Sequence, residues 1–179
     1  MEKLLLEIGA EEIPAGYITP ALKALSTNLK KKLTAARIAH GEVSVYGTPR
    51  HLAVVIDDVA ARQKTMTTEV LGPPEKVAYD HAGNPTVAMQ KFAEKVGVDV
   101  GTLKVKKTEK GSYVCARVVE RGLATSTILK QMLPEAILSI PFPKTMKWGE
   151  LNITFARPIH SVLALLGSRV VPFRLGNIK

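Results

Sequence analysis

A chain of 179 residues, 46% of them apolar, suffices for one large domain or two small ones with a substantial core. Twenty-five Lys and Arg against sixteen Asp and Glu leave a formal charge of +9, a field that attracts a polyanion and makes nucleic acid the natural partner class. Apolar runs fall far short of the ~20 residues that span a bilayer; the first residues do not read as an export signal, and the lone Cys115 excludes an internal disulfide or a thiolate metal cluster, so a globular cytoplasmic protein is expected.

Residues 3–8 read as a buried first strand, ending in a polar turn with Glu11, Glu12 and Pro14. Ile18, Leu22, Leu25, Leu29, Leu33 and Ala36 recur at three- and four-residue spacing, which predicts a helix over 17–38. Lys23, Lys30 and Arg37 recur every seven residues along one flank, a basic stripe that suits either RNA or a solvated helix face. Strands over 43–46 and 52–59 flank Gly47-Thr48-Pro49-Arg50, whose Gly and Pro favour a turn. Strand, helix, strand, strand is the start of a split βαβ sheet.

A Thr-rich strand is predicted over 65–71. The Gly72-Pro73-Pro74 run and the polar loop to Asn84 resist helix and central strand, so they mark a boundary or hinge. Asn84 suits an N-cap, Pro85 the first helical position and Gly97 the position past the end, which predicts a helix over 85–96. Strands over 103–107 and 112–119 form a second hairpin around a Gly-ended turn. Lys104, Lys106, Lys107 and Lys110 crowd one end of it, either as edge lysines that discourage strand addition or as RNA contacts. A helix from Ser126 carries Ile128, Leu129, Met132, Leu133, Ala136 and Ile137 inward, with a kink or a restart expected at Pro134. The order of elements predicts a two-layer α+β fold of split βαβ-like units, with mixed or antiparallel sheets and helices on one face. Its divisions fall at 1–62 (βαββ), 63–140 (a second α+β unit after the Gly-Pro-Pro hinge) and 141–179 (the start of a further β-rich segment).

Aromatic, basic and stiffening residues are densest from 141 to 172. Phe142-Pro143-Lys144-Thr145-Met146-Lys147-Trp148-Gly149 precedes Phe155-Ala156-Arg157-Pro158-Ile159-His160, an apolar run from Val162 to Leu166, and Gly167. Cations held beside flat rings and prolines can grip phosphates and stack on bases, although snorkelling lysines over a β-rich core give the same pattern. Lys144, Lys147, Arg157 and the turn residue Arg50 are therefore candidate RNA contacts, with Lys23, Lys30 and Arg37 as a second set; Arg157, between Phe155 and Pro158, also suits enclosure. No phosphate-binding Gly loop, metal-ligand spacing or Ser-His-Asp order is present. Glu7, Glu11 and Glu12 are read as turn residues near a helix dipole, and His160 as a hydrogen-bonded structural histidine. His51 is open between a structural and an RNA-facing role.

The Phe-Pro-Lys-Thr-Met-Lys-Trp-Gly and Phe-Ala-Arg-Pro-Ile-His stretches resemble the β subunit of the bacterial two-subunit glycyl-tRNA synthetase. So do Leu4-Leu5-Leu6-Glu7-Ile8-Gly9-Ala10-Glu11-Glu12-Ile13-Pro14 and Tyr46-Gly47-Thr48-Pro49-Arg50-His51-Leu52, so the resemblance runs from end to end. Lys147 stands where that family usually has Arg, and Ser161 where it often has Trp. The resemblance implies the N-terminal part of a much longer subunit that supports tRNA(Gly) binding and assembly, while glycylation is catalysed at the α subunit. It implies no catalytic residue and no bound cofactor in this segment, with ATP and magnesium used by the holoenzyme. The implied partners are the α subunit, tRNA(Gly) and the remainder of the β subunit, with no membrane. A docking module with no direct RNA contact is the competing reading.

Overall fold

The computed structural model describes residues 1–148 and 153–178. Gly149, counted above among the residues that stiffen the Trp148 stretch, lies outside the described residues. The chain divides into two compact units, one formed by Met1–Lys64 with Leu123–Lys179 and the other by Thr65–Gly122.

The first unit begins with β1 (Glu2–Ala10), α1 (Ala15–Ala35), β2 (Val43–Gly47) and β3 (His51–Val59). It is completed by α4 (Thr125–Leu138), β9 (Ile159–Leu166), β10 (Arg169–Val170), and the short pair β7 (Met146–Lys147) and β8 (Thr154–Phe155). Its five-stranded sheet has the order β10-β9-β1-β3-β2 with every pairing antiparallel. β1 and β2 therefore run parallel with β3 between them, which is the split βαβ path. With α4 and β9 added, the order β9-β1-β3-β2 makes this unit a βαββαβ module of ferredoxin-like type.

Alternation builds its two faces. Leu4, Leu6 and Ile8 of β1, Leu52, Val54 and Ile56 of β3, and Ala164 and Leu166 of β9 are buried beneath the helices. Leu25, Leu29 and Leu33 of α1, and Leu129, Leu133, Ala136 and Ile137 of α4, close over them in one cluster. Each fully buried Leu or Ile contributes about 1.5–3 kcal/mol relative to exposure. The helices are also tied by polar contacts, Lys32 Nζ to Glu135 Oε2 at 2.6 Å and Asn28 Nδ2 to Ser139 Oγ at 3.0 Å.

Pro134 does not break α4, which continues to Leu138. The missing N–H of Pro134 deprives only the carbonyl of Lys130, an exposed residue, so the acceptor that loses its partner is on the outer side of the helix. This helix also packs on α1 in the first unit, whereas the sequence grouped it with the preceding residues. Its start is fixed by buried Thr125, whose N–H donates to the Ala61 carbonyl at 2.9 Å.

The second unit comprises β4 (Met66–Pro74), α2 (Glu75–Ala78), α3 (Val87–Val96), a 3₁₀ turn (Val100–Thr102), β5 (Lys104–Thr108) and β6 (Gly111–Glu120). Its sheet order, β4-β6-β5, repeats the split βαβ path, and Met89 and Ala93 of α3 pack with Val114 and Ala116 of β6 in a core of its own. Gly72-Pro73-Pro74 is not a hinge; it ends β4, and this edge strand tolerates proline because its outer side has no ladder. The chain passes between the compact units at 64–65 and 122–123 instead. Gly72 lets Phe92 approach, since an added Cβ would lie 2.6 Å from the ring. Helix α3 begins two residues after Pro85, with Thr86 at the N-cap position. Asn84 instead closes a loop on Asp80, whose Oδ1 accepts N–H bonds from Ala82 at 2.9 Å and Asn84 at 2.7 Å. Gly97 ends α3 at φ 69, the left-handed cap position expected of it.

Candidate functional site

Three stretches far apart in sequence meet at the start of α1. The N–H of Ala10 donates to the Arg50 carbonyl at 2.9 Å, that of Glu11 to the Pro158 carbonyl at 2.9 Å, and that of Ile13 to the Pro49 carbonyl at 2.6 Å. Pro14 accepts from the Tyr17 N–H at 2.8 Å. Prolines suit this position because a fixed φ holds the loop and each supplies an acceptor without a donor to satisfy. Arg157 completes the closure: its Nε donates to the Glu12 carbonyl at 3.1 Å. The resulting cleft, about 480 Å³, is lined by Glu11, Glu12, Ile13, Pro14, Ala15, Pro49 and Arg157.

The turn on the β2–β3 side is built by Thr48. Its N–H donates to the His51 carbonyl at 2.8 Å, while Oγ1 accepts from the N–H groups of His51 at 3.0 Å and Arg50 at 3.3 Å. Arg50 is thereby displayed on a short rigid turn and is exposed. Phe142 stacks at 6.2 Å from Tyr17 in the first turn of α1 and lies edge-on to buried Phe155 at 4.7 Å. Register pairs Met146 with Phe155 and Lys147 with Thr154. The segment that carries Lys144 and Lys147 is thus laid beside the strand that leads to Arg157, with both lysines exposed. α1 itself begins without a side-chain cap or an acidic residue in its first turn, the nearest carboxylates being Glu11 and Glu12 of the cleft.

Of these cations, Arg157 lines the cleft and Arg50 follows its lining residue Pro49, while Lys144 and Lys147 lie on the segment that pairs with β8. Lys23 and Lys30 lie exposed along α1, whereas Arg37 sits beyond its C-terminus at φ 57, about 30 Å from the cleft end of the helix. The stripe does not join the cleft. Arg157 is not enclosed as its neighbours suggest, since its guanidinium is exposed and one nitrogen is bound to a carbonyl. His51 and Glu7 face each other across adjacent strands, Nδ1 to Oε1 at 2.9 Å, and both are partly exposed. His160 is exposed, and its ring lies across Gly9. Among the described residues no group of three His, Cys, Asp or Glu side chains is placed to hold a metal ion. Nor, among the described residues, is any helix long and apolar enough to cross a membrane.

The proline carbonyl acceptors and the Tyr17–Phe142–Phe155 ring series are parts of the site that the sequence reading did not identify. Their signal was present in the separate motif stretches, but only the β1–β9 pairing shows that residues 11 and 158 are neighbours.

A family model described as glycyl-tRNA synthetase beta subunit matches residues 4–179. The chain is 56% identical over 178 residues to the glycine–tRNA ligase beta subunit of Desulfatibacillum aliphaticivorans, covering 99% of this chain and 26% of that protein. The proteins of the same name from Desulforapulum autotrophicum and Syntrophus aciditrophicus are 50% and 46% identical over 99% of this chain, each again matched over 26% of its length. The chain thus spans about a quarter of the length of these curated relatives.

Proposed function

Because the chain belongs to the glycyl-tRNA synthetase beta-subunit family, we propose that it acts as the N-terminal portion of such a subunit and helps to hold tRNA(Gly) and the α/β assembly for ATP-dependent glycylation at the α subunit. The observation that carries this reading is the convergence of the signature stretches at the α1 cleft, where Arg157 is part of the lining and exposed Arg50 follows the lining residue Pro49, with exposed Lys144 and Lys147 on the segment that pairs with β8. Arg50 and Arg157 stand on loops locked by backbone hydrogen bonds, so a phosphate meets a preorganised charge at little ordering cost. ATP and magnesium belong to the holoenzyme in this scheme, not to this segment.

A second reading has its own support. Glu11 and Glu12 line the same cleft and oppose a phosphate, which favours a protein surface, the α subunit or the rest of a longer β subunit, as occupant. Salt dependence separates the two: phosphate contacts release counterions, so their affinity falls steeply with salt, whereas apolar docking is less sensitive. Measured at two salt concentrations, tRNA(Gly) affinity should fall by about 1 kcal/mol on replacing Arg50, Lys144, Lys147 or Arg157 with Ala, and the salt slope by about one unit for each. Unchanged slopes in all four variants would leave docking as the function of this cleft.

A further inference from the structure

The open face of the second unit's sheet carries a different set of groups. Val114 and Ala116 of β6 turn toward α3, so Tyr113, Cys115 and Arg117 occupy the other side. Register places Lys106 beside Tyr113, Lys104 and Leu71 beside Cys115, and Glu69 beside Arg117 on that side. Leu71, 54% exposed, and Val119, 52% exposed, share it, so the face is neither a covered core nor a purely charged surface.

Two depressions flank Tyr113 along β6. One, about 160 Å³, is lined by Cys115, Lys104, Arg117, Thr102 and Glu69. The other, about 350 Å³, is lined by Lys76, Lys110, Glu75, Ser112 and Tyr113 among others, two cations against one carboxylate. Glu69 is engaged by the Lys106 ammonium, whose hydrogen bond holds that carboxyl below the usual carboxylate range. Lys104 and Arg117 thus set two positive charges against the one of Glu69 at the first depression, Arg117 also adding to the field that lowers Glu69. Alternate residues of a strand recur every ~6.7 Å, comparable to one step of an extended polynucleotide, so Arg117, Cys115 and Tyr113 match consecutive nucleotides along β6.

We propose that this sheet face docks single-stranded RNA, with a base stacked on Tyr113 and the flanking phosphates on Lys104, Arg117 and Lys110. The surface is separate from the α1 cleft and rests on the reading that RNA is the partner of this chain. Charge complementarity favours a polyanion, and an aromatic ring between two basic hollows favours one with exposed bases.

The test is fluorescence anisotropy of a labelled twelve-residue oligouridylate with the intact chain. Tyr113→Ala should weaken binding about tenfold or more while Tyr113→Phe retains it. Lys104→Ala combined with Arg117→Ala, both at exposed positions, should lower the salt slope by one to two units. A 4-thiouridine-substituted oligomer should cross-link to the peptide of residues 111–120. The proposal is overturned if Tyr113→Ala binds like the parent with an unchanged melting profile, if polyglutamate of equal charge displaces the oligomer as well as unlabelled oligouridylate does, or if the cross-link maps to the first unit. Sedimentation that shows dimers sealed by this face would likewise overturn it. Arg157→Ala is run in parallel against tRNA(Gly). Loss there with no oligouridylate binding sinks the sheet proposal alone, and the reverse outcome sinks the cleft reading alone.

Discussion

Gly9 lies in the middle of a sheet, between His51 and Ser161 on the adjacent strands. A Cβ there would stand 2.1 Å from Ser161 Oγ and 3.1 Å from the His160 ring, so the strand is glycine by necessity of contact. Gly9→Ala should cost about 1–3 kcal/mol, and Ser161→Gly should restore most of it, because the clash is with that hydroxyl; urea midpoints of the single and double variants measure this. No recovery in the double variant would place the strain in the backbone instead. Asp80 offers a pH-dependent counterpart. The backbone N–H of Asn84 is the foremost cause that lowers its carboxyl below the ordinary value, aided by the Asn84 side chain and Ala82. A folded-state pKa below the unfolded one means that the contribution is complete above the unfolded value and is lost as pH falls through the folded value. NMR titration should therefore show the amides of Ala82 and Asn84 moving together only at acid pH below the usual Asp range, and Asp80→Asn should abolish that movement.

Elements tell where periodicity suffices and where it does not. Helix α4 continues past Pro134, so Pro134→Ala restores a hydrogen bond to Lys130. The gain should be about 2 kcal/mol, the ~3 of helix propensity less up to ~1 for a freer unfolded chain; a lower denaturation midpoint would show that the proline ring packs better than it breaks. Helix α1 and the alternating strands β1 and β3 were legible because burial on one side imposes a period that local sequence displays. The Asn84 cap was not, since Asp80 competes for the same residue and wins with two backbone N–H bonds. Pro73 and Pro74 read as a break because local sequence does not reveal that β4 is an edge strand. Of the site, Arg50, Lys144, Lys147 and Arg157 were visible as cations beside prolines and rings. That Arg157 reaches the Glu12 carbonyl before α1 depends on β9 lying against β1, a pairing between distant residues that no local pattern specifies.

At the scale of the whole molecule the two hydrophobic clusters are separate, one around Leu4, Leu25, Leu29 and Ile137 and the other around Ala78, Met89 and Val114. Leu29→Ala and Met89→Ala should each remove about 2–5 kcal/mol from the cluster concerned. Calorimetry should resolve two transitions, with Leu29→Ala lowering one and Met89→Ala the other; a single transition shifted by both would mean that the units melt as one. The connection explains how such an arrangement is tolerated. The N–H of Gln63 donates to the Leu123 carbonyl at 3.0 Å, and Gln63 Oε1 accepts from the Leu123 N–H at 3.0 Å, so the two crossings of the chain are paired side by side. Arg62 and Ala124 bridge on one side of the cut, and Met66 and Glu120 are register partners on the other. Each piece thus has its severed ends already adjacent. In genetic terms the βαββαβ module is a host gene interrupted by a cassette, and excising 65–122 with a few Gly and Ser residues in its place should leave a reading frame that still encodes a folded protein.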